Sequence, residues 1–230
     1  MTNLGWLLQC QDPPDLPAAR SWWEKAADAG HTEAMNDLGS LLGYKWEPPD
    51  LPTARTWYEK AANAGHTEAM NNLGSLLTTR WDPPDLPAAR TWYEKAANAG
   101  HLRAMTSFAW LLAEVWDPPE LSAARTWAEK AANSGHTDAM SWLGFFFLRL
   151  CDPADLTAAR TWYEQAAGTD EPEAMYNLGV FLAEFWDPPD LSAARNWLQK
   201  AADAGHIGAM AYLVLLASRS NPPDVPGPRS

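Results

Sequence analysis

Cysteine is almost missing from this 230-residue chain: Cys10 and Cys151 are the only two. That is too few for a disulfide framework or a thiolate metal site. Positive charge is also short, with 17 Lys and Arg against 29 Asp and Glu and a formal net charge of −12. A nucleic-acid backbone would be repelled by that balance. No long apolar run exists; the longest, Ile207–Ala217, has 11 residues, well short of the roughly 20 that span a bilayer. No basic residue precedes Arg20, so the charged start of a signal peptide is not there. With 47% hydrophobic residues the composition is not that of a disordered chain. These exclusions leave an acidic, cytoplasmic, globular protein that engages neither nucleic acid nor membrane.

What the chain has in abundance is repetition. His31, His66, His101, His136 and His206 are separated by multiples of 35 residues. Trp22, Trp57, Trp92, Trp127, Trp162 and Trp197 keep the same spacing, as do Met35, Met70, Met105, Met140, Met175 and Met210. Segments 46–80 and 81–115 are identical at 23 of 35 positions. About six and a half units fill 1–219 as one domain, and 220–230, which opens with another Pro-Pro-Asp, is expected to be an irregular tail.

Each unit predicts two helices. In 46–80, Asp50 is an N-cap and Pro52 sits in the first turn, where no backbone donor is lost. Ala54, Trp57, Tyr58 and Ala61 then form one stripe, and Gly65 is the expected residue past the helix end. Thr67 is expected to cap the second helix, whose stripe is Met70, Leu73, Gly74 and Leu77. The Pro-Pro-Asp-Leu helix is called type B and the methionine-bearing helix type A. Gly39, Gly74, Gly144 and Gly179 recur inside A helices at a cost of about 1 kcal/mol each relative to alanine. Close approach to the small residues Ala54 and Ala61 and their equivalents is the expected reason. Residues 167–172 break the pattern, with Gly168 expected to stop helix B two positions early and Pro172 in place of the capping threonine.

The run Ala-Met-Asn-Asn-Leu-Gly, a turn, and then Asp-Leu-x-x-Ala-Arg-x-Trp-Tyr-Glu-Lys-Ala-Ala-x-x-Gly-His resembles the Sel1-like repeat, a relative of the tetratricopeptide repeat. The resemblance rests on about a dozen positions per unit. It implies an all-α, right-handed α-solenoid of stacked helical hairpins, with about seven A and six B helices. It departs from the usual unit in its Trp-Asp-Pro-Pro-Asp turn, which is glycine-rich in much of the family.

The one-per-unit histidines are spaced a repeat apart, so they predict a role at the inter-repeat turn and no metal site. No Gly-x-Ser-x-Gly, Walker loop or His-Glu-x-x-His is present; no catalytic residue and no cofactor are expected. Residues that recur hold the stack, so specificity belongs to positions that vary between units. By the resemblance, helix A lines a concave groove into which the positions one and five after the methionine face. The expected groove has a polar half, Asn36, Ser40, Asn71 and Ser75, that holds an extended peptide backbone. Its apolar half, Trp110, Phe145, Tyr176 and Val180 joined by Trp142, anchors side chains. The function expected is a scaffold that binds a protein or peptide segment in that groove. The alternative is an assembly module that meets a basic protein surface through the turns, where 13 of the 29 acids lie. Val214, Leu215 and Leu216 on the last A helix are expected to stay exposed and support weak self-association.

Overall fold

The computed structural model describes residues 2–220; the expected tail, from residue 221 on, lies outside them. Thirteen α-helices, seven of type A and six of type B, occur among the described residues, and no strand. The chain divides into two compact units, Met1–Trp127 and Ala128–Ser230, each a stack of helical hairpins. The first holds α1 (Thr2–Gln9), α2 (Leu16–Asp28), α3 (Thr32–Ser40), α4 (Leu51–Asn63), α5 (Thr67–Thr79), α6 (Leu86–Asn98) and α7 (Leu102–Trp110). Helix α8 (Leu121–Asn133) runs through the division. The second unit continues with α9 (Thr137–Phe145), α10 (Leu156–Ala167), α11 (Pro172–Glu184), α12 (Leu191–Asp203) and α13 (Ile207–Ser220). In the first unit successive helices from α1 to α7 pack in sequence, and the A helices α3, α5 and α7 also touch in turn; α9 to α13 do the same, with α9 against α11.

The helix starts follow from local chemistry. Asp15, Asp50, Asp85, Asp155 and Asp190 each accept a hydrogen bond from the backbone N–H three residues on, at 2.9–3.2 Å. The peptide bonds that lead into these turns, Asp12–Pro13, Glu47–Pro48, Asp82–Pro83, Asp117–Pro118, Asp152–Pro153 and Asp187–Pro188, are all cis. Above four of these turns an arginine covers a tryptophan: Arg20 over Trp46, Arg55 over Trp81, Arg90 over Trp116 and Arg160 over Trp186, at 4.6–5.2 Å. Gly65 ends helix α4 at φ +89, a conformation in which a Cβ is strained.

The A helices are capped differently from the expectation. Thr67 is the first helical residue, and the cap before it is His66, whose Nδ1 accepts from Ala69 N–H at 3.1 Å. The same ring places Nε2 2.9 Å from Glu33 Oε2 on the preceding A helix. His101 and His206 repeat both contacts, to Ala104 and Glu68 and to Ala209 and Glu173. In these three units one imidazole thus starts its own helix and ties it to the one before; His31 and His136 hold the same N-cap position without the side-chain cap bond.

The mid-helix glycines serve the tyrosines of the B helices. A Cβ built on Gly39 would stand 2.6 Å from the Tyr58 ring, on Gly74 2.8 Å from Tyr93, and on Gly144 2.7 Å from Tyr163. At Gly179 the occupant is Leu198, at 2.6 Å. A large side chain laid on bare backbone, rather than alanine against glycine, sets the distance between the two helices of a hairpin. Around this contact Ala54, Ala61, Leu73, Leu76 and Leu77 are fully buried.

The irregular junction also differs from its expectation. Helix α10 stops at Ala167, one residue short of the 13 in its counterparts. The left-handed residue is Asp170, at φ 62, in register with Gly65 and Gly100. Glu171 then stands at the histidine position without a side-chain cap, and Pro172 opens the helix. On α13, Ile207 and Val214 are 81% and 71% exposed, and Met210 and Leu215 are exposed too; Leu216, expected among them, is 3% exposed and belongs to the core.

Candidate functional site

An open cleft of about 550 Å³ lies along α3, α5 and α7, all in the first unit. Its floor begins with Tyr58, one of the glycine-seated tyrosines, and with Ser75, which Tyr93 backs. The Tyr58 hydroxyl reaches Ser40 Oγ at 2.9 Å, and that of Tyr93 is hydrogen-bonded to Ser75 and Thr78. Burial pushes both phenols up, Tyr93 to about 12, so both stay protonated and can donate. Ser40 and Ser75 line the cleft as expected, but their hydroxyls are engaged within their own hairpins.

Asn36 and Asn71 line it too, and they are sunk deeper than a groove-lining residue on an outer face would be: 7% and 4% exposed. The two amides differ in a way that periodicity does not reveal. Asn36 Oδ1 accepts from Asn72 Nδ2 at 3.0 Å. Asn71 Oδ1 is buried, and no donor among the described residues reaches it. An unpaired acceptor in such a place costs about 1–3 kcal/mol. Asn71 itself lines the open cleft, and a donor that reaches this oxygen from the cleft side recovers that cost.

The rim carries the charges. Glu68 bonds His101 at 2.7 Å, and that hydrogen bond holds its carboxyl below the usual range. Arg103, on the first turn of α7, lines the cleft near it. Asn72, Ser107, Tyr44 and Tyr58 complete the lining, and Arg80 covers the Tyr44 ring at 5.1 Å. Behind the wall, Asp37 is pushed up to about 6, first by burial and then by Glu33, with His66 and Lys45 pulling the other way. Asn72 and Ser107 occupy the position two after the methionine, of which only Trp142 was expected to join the groove. Their signal was present as polar variation at that position; Arg103 was marked only by being basic where four of its five counterparts are acidic.

The expected apolar half is not part of this cleft. Trp110 closes α7 in the first unit, half-buried, and Trp142, Phe145, Tyr176 and Val180 are half-buried in the second. Trp142 packs on Phe146 with centroids 5.4 Å apart, and Tyr176 stacks on His206 at 4.6 Å. Trp110 and Phe145 each stand directly before a π-helical turn, Leu111–Val115 and Phe146–Leu150, as Ser40 does before Leu41–Lys45. Among the described residues no three His, Cys, Asp or Glu gather where a metal could sit, and no helix is long and apolar enough to cross a membrane. Five of the turn carboxylates, Asp15, Asp50, Asp85, Asp155 and Asp190, are occupied as caps, and Glu120 is held by both terminal nitrogens of the Arg90 guanidinium, at 2.6 and 3.1 Å.

Comparison with solved structures finds the same architecture. A Sel1 repeat protein from Oxalobacter formigenes aligns at 22% identity over 87% of this chain and 83% of its own, with a TM-score of 0.70. A protective antigen of uropathogenic Escherichia coli, described as displaying an SLR fold, aligns at 21% identity and TM-score 0.65; it covers 95% of this chain, which spans about half of it, 48%. An immunity protein from Pseudomonas aeruginosa aligns at 16% over 94% of this chain and 80% of its own, TM-score 0.57. At these identities the likeness is one of fold. No curated protein matches the sequence. The Sel1 repeat itself matches six times, at residues 1–31, 32–66, 67–101, 117–136, 137–168 and 172–206. The gap at 102–116 is the segment where Arg103, Phe108, Ala109 and Trp110 depart from the other units. With most of its residues inside these matches, the chain belongs to the Sel1 repeat family.

Proposed function

We propose that the protein is a non-catalytic interaction scaffold that takes an extended peptide or protein segment into the cleft along α3, α5 and α7. Sel1 repeats as a family are protein–protein interaction modules, and their proteins are typically scaffolds without catalysis. The observation that carries the more specific reading is the buried, unpartnered Oδ1 of Asn71 at the wall of an open polar cleft. A peptide backbone supplies a donor of the right kind at every residue except proline, and an extended segment exposes its N–H groups along its length. The apolar positions Trp110, Trp142, Phe145, Tyr176 and Val180 are proposed as further anchors for the partner's side chains. They are half-buried, so each side chain keeps some solvent-exposed surface.

The test is affinity purification from the source cell with wild-type protein and Asn71→Ala as baits, followed by mass spectrometry. A partner retained by the wild type and depleted on the variant supports the cleft. A partner held equally by both, and lost when Asp12, Asp82, Asp117 and Asp187 are changed to Asn, would move the site to the acidic turns.

A further inference from the structure

The position two after the repeat histidine reads Glu33, Glu68, Arg103, Asp138, Glu173 and Gly208. Its structural task is visible in three units: Glu33, Glu68 and Glu173 each meet the histidine one repeat on, at 2.7–2.9 Å. An acid there also suits the first turn of a helix, where the dipole favours negative charge. Arg103 reverses the sign on both counts. It gives up a contact of the kind that the neighbouring units use and puts a cation at the unfavourable end of α7. No hydrogen bond or ion pair holds its guanidinium among the described residues, and it is exposed on the rim of the cleft that contains the unpartnered Asn71 Oδ1. The repeat does not explain this residue, but an anionic group on a ligand does.

We infer that Arg103 makes the cleft selective for a peptide segment carrying an acidic side chain, its guanidinium binding the carboxylate while a main-chain N–H of the same segment donates to Asn71 Oδ1. This rests on the peptide-binding reading above and adds the ligand's chemistry to it. The planar fork of arginine matches a carboxylate with two parallel hydrogen bonds. A single carboxylate also fits the local charge better than a phosphate dianion or a nucleic acid does: among the residues that line the cleft Arg103 is the one cation and Glu68 the one carboxylate, in a chain of net charge −12.

A random heptapeptide library displayed on phage tests this. Fusing the peptides to the coat protein at their C-termini leaves no free terminal carboxylate, so any acid selected must be a side chain. The library is panned on wild-type protein, R103E and N71A. R103E restores the residue that α3 and α5 carry, and R103Q serves if its melting curve shows that R103E is unfolded. Wild-type clones are expected to share Asp or Glu at one position. A synthetic consensus peptide, acetylated and amidated, is then expected to lose about tenfold or more in affinity on R103E and to lose affinity on N71A. Replacing its acid by Lys should reverse the preference, with R103E binding better than wild type. Clones that need Asn71 but share no acid, or an acidic peptide bound undiminished by R103E, would overturn the inference and leave peptide binding standing. A library from which wild-type protein enriches nothing would overturn both.

Discussion

Asn36 and Asn71 occupy equivalent positions one repeat apart, and the structure assigns their replacement by alanine opposite effects. In Asn71→Ala the change removes an acceptor that is buried without a partner; relief of that desolvation is worth about 1–3 kcal/mol. Alanine adds up to about 0.7 kcal/mol of helix propensity. Against this stand the lost side-chain contacts, about 1 kcal/mol, kept small because the site borders an open cleft rather than a closed core. The balance is a gain of about 1 kcal/mol. Asn36→Ala removes the acceptor of the 3.0 Å hydrogen bond from Asn72 Nδ2 and leaves that donor unpaired, a cost of about 1–2 kcal/mol only partly offset by propensity. The last unit already carries alanine at this position, Ala211, so the backbone accepts it. Urea unfolding followed by circular dichroism at 222 nm is the assay; a solenoid need not unfold in one step, so midpoints of the two variants are compared in the same transition. The expected result is a midpoint above wild type for Asn71→Ala and below it for Asn36→Ala. Equal losses in both would refute the reasoning, because Asn71 would then be doing in the fold what Asn36 does.

Three further outcomes follow from the packing. Gly74→Ala puts a Cβ 2.8 Å from the Tyr93 ring and should destabilise by about 1–3 kcal/mol despite better helix propensity; in a Tyr93→Ala background the same change should become favourable, which a double-mutant cycle reads directly. His66→Ala removes both a helix cap and the Glu33 contact, and a loss of about 1–2 kcal/mol in equilibrium unfolding is expected. Burial pushes the Asp37 carboxyl up from its ordinary 3.8 to about 6 in the folded protein. The folded state therefore binds more protons than the unfolded one between those values, and stability contributed by this group falls as pH rises through that window. Asp37→Asn should accordingly stabilise by about 1–2 kcal/mol at pH 7 and by nothing at pH 4; a difference that does not change with pH would reject the assignment.

Helix number and the aspartate caps were legible in the sequence because each is a matter of local order: apolar spacing, a side chain that bonds three residues on, a glycine past the last turn. What was not legible depended on depth. Periodicity places Asn36 and Asn71 on a face of their helices, but only the neighbouring helices decide that the two amides sink below the surface and that one of them keeps a partner. The same holds for Ser40 and Ser75, read as free hydroxyls until Tyr58 and Tyr93 are laid across the glycines beside them. His66 and Thr67 are adjacent and both can cap, and the choice is made by Glu33, 33 residues away. The half-buried aromatics Trp142 and Tyr176 face ring partners, Phe146 and His206, that their spacing from the methionine does not reveal.

The placement of these ties has a consequence for how such an array can change length. Between Thr32 and His66 the chain contains the glycine and the tyrosine that fits it, Gly39 and Tyr58, and both members of the Glu33–His66 pair. Cutting the protein after a histidine therefore severs no such tie, and the outgoing histidine supplies the cap for whatever A helix comes next. A cut in the Pro-Pro-Asp turn would separate glycine from tyrosine and acid from imidazole. Units bounded by His66, His101 and His206 behave as cassettes: each of these junctions carries the same cap and the same tie to an acid one repeat back, so the array can lengthen or shorten there by whole cassettes while individual ones, such as that bearing Arg103, drift toward a ligand; the junction at Glu171, which has no such cap, is not of this kind.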